Sequence, residues 1–169
     1  MKTVEIYIGT DLRGPARGTG KVIYIMRTLL QSDQYYESQP AVRSEEDATE
    51  SHMVLLALRD AIKRINYACE VVIYMECTYV AAAVNNMWPV AWRDNNWQTA
   101  RGAAKDVDLW QDILYELEVA GHILKAVSGK HEFCDWMRSN MPRLAANTNA
   151  FTAVEQKVVS LVNDRMPVR

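Results

Sequence analysis

The sequence predicts an α/β domain: a five-stranded mixed sheet, an antiparallel meander followed by parallel strands, flanked by helices. Three observations predict it. Val4, Ile6 and Ile8 alternate with Glu5 and Tyr7, the period of a half-buried strand. Residues 70–75 are nearly all apolar, the mark of a strand covered on both faces. Around them, apolar residues recur at three- and four-residue spacing, as on one face of a helix.

The elements follow in order. After the first strand, residues 9–20 hold Gly9, Gly14, Pro15, Gly18 and Gly20, a turn-forming stretch. Residues 21–30 are β-branched and aromatic enough for a second strand, and 33–42 return as a third, with Pro40 near its end. Short connections favour antiparallel pairing. Asp47 and Glu50 form a D-x-x-E capping box, and Leu55, Leu58, Ile62 and Ile65 continue one apolar stripe to about Tyr67. Residues 78–84 read as an Ala-rich helix. Asp108 and Gln111 suggest a capped start for a helix carrying Trp110, Ile113, Leu114 and Leu117. A last strand spans 122–127, and a helix over 132–141 is ended by Pro142. Phe151, Val154, Val158, Leu161 and Val162 make a final amphipathic helix. The expected organisation is a domain over 1–142 and an extension over 143–169.

Composition narrows the function. The chain has 169 residues with 19 Lys+Arg against 21 Asp+Glu, so strong global basicity is excluded. No apolar run approaches the roughly 20 residues that cross a bilayer, and no membrane partner is expected. The N-terminus does not read as a signal peptide. Cys69, Cys77 and Cys134 form no C-x-x-C pair, which favours a reduced, cytoplasmic setting. His52, His122 and His131 form no metal-type cluster.

The run from Val71 through Glu76 to Val80, then Trp88, Trp92, Trp97 and Val107-Asp108-Leu109-Trp110, resembles bacterial ribonuclease HI. Val4-Glu5-Ile6-Tyr7, the Gly/Pro-rich turn after it and Cys134-Asp135 match in the same order. The resemblance covers roughly residues 3–140. It implies a ribonuclease-H-like fold, and the C-terminal helix lies beyond the shared region as an extra element.

It also implies four carboxylates that converge on two divalent ions about 4 Å apart. Such ions activate a water and stabilise the leaving oxygen of an RNA strand paired to DNA. At the family's carboxylate positions this chain has Gly9, Val54, Glu76 and Asp135. Two ligands are absent and one is longer by a methylene. Mg²⁺ gives up water reluctantly and binds through carboxylates, so the remaining pair should hold it poorly. The expectation is a catalytically impaired domain that binds nucleic acid or acts as a scaffold. No cofactor is expected, and the candidate metal ligands are Glu76 and Asp135 alone.

Two alternatives stand beside this. Asp11 and Glu50, displaced by two and four residues, could rebuild a four-acid site with Glu76 and Asp135 for a Mg- or Mn-dependent nuclease. The acidic pI near 5.9 instead suits a protein-interaction module, docking through the C-terminal helix. Nucleic-acid contacts, to an RNA–DNA hybrid or another polymer, fall to Arg13 and Arg17 in the turn, with Lys21 beside them. Trp88, Trp92, Arg93, Trp97, Arg101 and Lys105 are the candidates in the region matching the family's basic handle. Such binding should be weak and salt-sensitive. Lys130 and His131 stand in a shortened loop where the family has a product-releasing histidine.

Overall fold

The computed structural model describes residues 1–30 and 32–145. Its main sheet starts with β1 (Lys2–Thr10), whose Val4, Ile6 and Ile8 are buried on one face as their alternation requires. β2 (Gly18–Leu29) returns antiparallel to it. Two further strands, β3 (Tyr35–Glu37) and β4 (Ala41–Ala48), both lie antiparallel against the outer edge of β2.

One strand over 33–42 was expected in that place. The chain breaks there because Pro40 has no N–H to give to a ladder. Ser38 takes over instead: its N–H donates to the Met26 carbonyl and its Oγ accepts the Met26 N–H, both at 2.8 Å. β4 then runs on through Asp47, a residue with positive φ (49°), so Asp47 does not cap the next helix. Thr49 does, its hydroxyl accepting the His52 N–H at 3.3 Å.

Helix α1 (Glu50–Ile62) follows and ends at Ile62, short of Tyr67. It leads to β5 (Cys69–Met75), parallel to β1. Here α2 (Thr78–Asn85) and α3 (Trp88–Asp94) are separate helices, followed by a small hairpin, β6 (Gln98–Thr99) with β7 (Gly102–Ala103). Helix α4 (Val107–Ala120) begins one residue before Asp108, with Asp106 at the cap position in a left-handed conformation. β8 (Ile123–Ser128) adds to β5 in parallel. The sheet therefore has five positions, β3/β4–β2–β1–β5–β8, one of them shared by two strands.

On one face of this sheet α1 covers β1, β2 and β4 and α2 covers β8, while α4 packs against α1; Val54, Leu55, Leu58, Ile62, Trp110 and Ile113 share the resulting core. The other face is covered by α5 (Cys134–Ala145), which packs on β1, β2 and β4. Because α5 avoids β5, the strand alternates buried and half-buried residues and is not enclosed on both sides as expected. Pro142 lies inside α5 and does not end it. The burial of Met137, Met141 and Leu144 against Tyr7, Ile23, Ile25 and Val42 carries the helix past the lost hydrogen bond. The expected boundary at 142/143 thus falls within α5, and the expected helix after Phe151 lies outside the described residues. Among the described residues no helix is long and apolar enough to cross a membrane.

Candidate functional site

In a sheet that switches from antiparallel to parallel pairing, ligands collect beyond the carboxyl ends of the parallel strands. β1 is that switch, flanked by β2 on one side and β5 on the other. A cavity of about 380 Å³ opens there, lined by Gly9, Thr10, Asp11, Arg13, Lys21 and Glu76 from the strand ends. Cys134, Met137, Arg138, Met141 and Pro142 of α5 close its other wall.

The acids do not converge on a common point. Glu76, just past β5, accepts from Arg13 Nη2 at 3.1 Å. Glu50, at the start of α1, accepts the Gly14 N–H at 3.1 Å and stands 3.8 Å from Arg13 Nη1. A guanidinium therefore lies between two of the candidate carboxylates. Asp11 turns to its hairpin partner instead: Oδ1 accepts the Lys21 N–H at 2.8 Å, and Oδ2 lies 3.9 Å from Lys21 Nζ. Asp135 is 71% exposed, does not line the cavity, and pairs with Lys130 at 3.2 Å and Arg138 at 3.7 Å. Among the described residues no three His, Cys, Asp or Glu side chains form a group able to hold a metal ion.

The two positions without carboxylates are filled. A Cβ added at Gly9 would stand 2.8 Å from Met137 Sδ and 3.4 Å from Met137 Cβ, so the thioether occupies the space of a residue-9 side chain. Val54 is buried in the main core with Met53 and Leu55. Sequence reading gave Met137 no role. Its position three residues after Cys134, on the same helical face, was the available signal.

His131 is an anchor and not a solvated loop residue. Burial lowers its pKa, and the neutral ring donates from Nε2 to the Ile8 carbonyl at 2.8 Å and accepts the Phe133 N–H at Nδ1. This pins the shortened loop to the end of β1. Lys130 remains exposed in its pair with Asp135. The Cys134 thiol, raised in pKa by burial, accepts the His131 N–H at 3.2 Å.

Apart from Arg13 and Lys21, the candidate nucleic-acid contacts do not line the cavity. Arg17 pairs with Asp47 at 3.1 Å. Trp92 and Trp97 pack against the main core, Trp92 edge-on to Trp110, while Trp88 is 38% exposed beside Tyr79. Arg93 is held by Glu118 at 2.5 Å on α4. Arg101 and Lys105 are exposed around the β6–β7 hairpin.

A second polar cluster escaped the sequence reading. His52 on α1 lies between Asp106, 2.7 Å from Nδ1, and Glu45, 2.6 Å from Nε2. Burial lowers its pKa, but the hydrogen bonds and charges of the two carboxylates outweigh this and the net shift is upward. The protonated ring ties β4 to the start of α4. Asp106 is 54 residues from His52 in sequence, so spacing could not reveal the cluster.

Known proteins resemble most of the chain. The RNase H family model matches residues 14–141. The chain is 31% identical over 148 residues to the ribonuclease H of Caldicellulosiruptor saccharolyticus, covering 83% of this chain and 97% of that protein. It is 32% identical over 130 residues to the ribonuclease HI of Helicobacter pylori, covering 75% and 79%. Among solved structures, LC9-RNase H1, a type 1 RNase H with the type 2 active-site motif, matches with a TM-score of 0.65 and 15% identity over 91% of this chain and 85% of that one. The PFV RNase H domain matches with a TM-score of 0.55 and 13% identity over 95% and 92%. The two structures speak for the fold, and the family match and sequence relatives decide the kinship: this chain belongs to the RNase H family.

Proposed function

We propose that this RNase H-family domain binds nucleic acid, an RNA–DNA hybrid being the polymer of choice, and does so without paired-metal hydrolysis. The observation that carries the reading is Met137 Sδ in the space above Gly9, where a carboxylate would have to stand. The residues present do not fit a two-ion centre: Arg13 already lies between Glu50 and Glu76, and Asp135 does not line the cavity but pairs with Lys130 and Arg138. The partner class rests on kinship and on a neighbour of like fold, a foamy viral protease–reverse transcriptase in complex with RNA/DNA hybrid. The contacts assigned to the polymer are Arg13, Arg17, Trp88, Arg101 and Lys105, with Trp92, Arg93 and Trp97 supporting the surface.

A second reading is metal-dependent hybrid cleavage with Mg²⁺ or Mn²⁺. What favours it is the 31% identity to the ribonuclease H of Caldicellulosiruptor saccharolyticus over 97% of that protein. In that reading Glu76, Asp135 and Asp11 would be the ligands, after rearrangement of their present ion pairs.

One experiment separates the two. A labelled RNA–DNA hybrid is titrated with the protein between about 50 and 200 mM salt, with and without Mg²⁺ or Mn²⁺. Salt-sensitive binding with the hybrid intact supports the first reading. Cleavage that is lost in Glu76→Gln or Asp135→Asn establishes the second. No binding even at the lower salt overturns the nucleic-acid role and leaves a protein-interaction module.

A further inference from the structure

A divalent ion in a phosphate-handling site links the protein's carboxylates to a phosphate oxygen, and a guanidinium can make the same link. Arginine carries five N–H donors in a planar fork that matches phosphate as well as it matches carboxylate. In this chain the Arg13 guanidinium sits among oxygen acceptors at the strand ends. Nη1 donates to the Thr10 carbonyl at 2.6 Å and to the Leu12 carbonyl at 2.8 Å, and Nη2 donates to Glu76 at 3.1 Å. The Glu50 carboxylate stands 3.8 Å from Nη1. These contacts fix the plane of the head group. They use three donors and leave two, and the side chain is 49% exposed at the mouth of the cavity.

We propose that Arg13 takes the place of the divalent ions as the bridge between the site's carboxylates and a phosphodiester, so that binding at this cavity is metal-independent. The inference rests on the nucleic-acid reading above and names the contact that reading needs. Glu76 and Glu50 then act as positioning residues: they orient the fork and keep it from folding back on the surface. Lys21 and Arg138 on the cavity walls add positive charge on either side, so the phosphate meets cations from β2 and α5 as well as from the loop. A lysine at position 13 would be a poorer substitute, because an ammonium is a point charge that cannot hold two carbonyls, a carboxylate and a phosphate in one plane.

The test measures affinity for a labelled RNA–DNA hybrid in EDTA and in Mg²⁺, for the full chain and for Arg13→Ala and Arg13→Lys. The wild-type affinity should agree within about twofold between the two buffers, since no ion is part of the contact. Arg13→Ala should weaken binding about tenfold and flatten the plot of log affinity against log salt by about one counter-ion. Arg13→Lys should keep the salt slope and recover only part of the affinity, and it decides the matter if the alanine variant does not fold. Binding that collapses in EDTA overturns the inference, and so does an Arg13→Ala protein that binds like the wild type. Either result leaves nucleic-acid binding standing. A wild-type chain that binds no hybrid in either buffer removes the reading and the inference together.

Discussion

Met137 and Gly9 occupy one space between them: a Cβ on residue 9 would stand 2.8 Å from the Met137 sulfur. Residue 9 cannot gain a side chain unless Met137 shifts. Gly9→Asp must push the thioether aside in a cluster that includes Tyr7, Ile23 and Met141. Overpacking of this kind costs about 1–3 kcal/mol. The expected result is a lower urea midpoint with no Mg²⁺ binding by calorimetry. A Gly9→Asp protein as stable as the wild type would mean that Met137 moves freely.

Met137→Ala removes a side chain that is 1% exposed and should cost about 2–5 kcal/mol as a single change. Combined with Gly9→Asp it should cost less than the sum, because the new carboxylate enters the vacated room. A double-mutant cycle in urea measures the coupling, expected at roughly 1 kcal/mol or more. Strict additivity would refute the shared space. Adding Val54→Glu to the pair places a carboxylate where the main core is now apolar, and a gain in Mg²⁺ affinity is expected only in this triple variant.

His52 gives the fold a pH dependence whose sign is fixed. Its pKa in the fold is raised above the ordinary value by Asp106 and Glu45. Its contribution to stability is therefore complete below about pH 6.5, where the unfolded chain is also protonated. That contribution is lost as pH climbs through the raised folded-state value. Denaturant midpoints taken from pH 6 upward should fall in the wild type and fall less in His52→Gln. Parallel curves for the two proteins would show that the Glu45–His52–Asp106 bridge carries no linkage.

Arg27 joins three strands and the loop before α5. It pairs with Glu5 at 3.0 Å and Glu132 at 2.9 Å, bonds the Tyr7 hydroxyl, and lies 4.5 Å over the Tyr35 ring. Arg27→Ala leaves the half-buried Glu5 without its cation and should cost about 2 kcal/mol in a thermal or urea melt. Arg27→Met, which keeps the stem packed on the aromatics, should cost less. Equal losses would assign the effect to the charge alone.

Much of this could be read in advance. The alternation of Val4, Ile6 and Ile8 and the apolar spacing of Leu55, Leu58 and Ile62 report burial directly, because strand and helix periods are local. The matched order of motifs from Val4 to Asp135 carried the fold, and it located the empty ligand positions at Gly9 and Val54. The boundaries were less legible. Thr49 and not Asp47 caps α1, because the β4 ladder with β2 extends to Ala48 and settles the backbone there. Pro142 is tolerated because Met141 and Leu144 find a sheet to cover.

The sequence alone decided most of the main strands and helices, which of their faces are apolar, and that carboxylates are missing from two expected places. Only the tertiary structure decided what fills those places and where the remaining acids point. Met137 meets Gly9, Arg13 meets Glu76 and His52 meets Asp106 across separations of tens to over a hundred residues. Contacts of that kind are set by the packing of α5 and the turn loops against the sheet, and no local period in the chain encodes them.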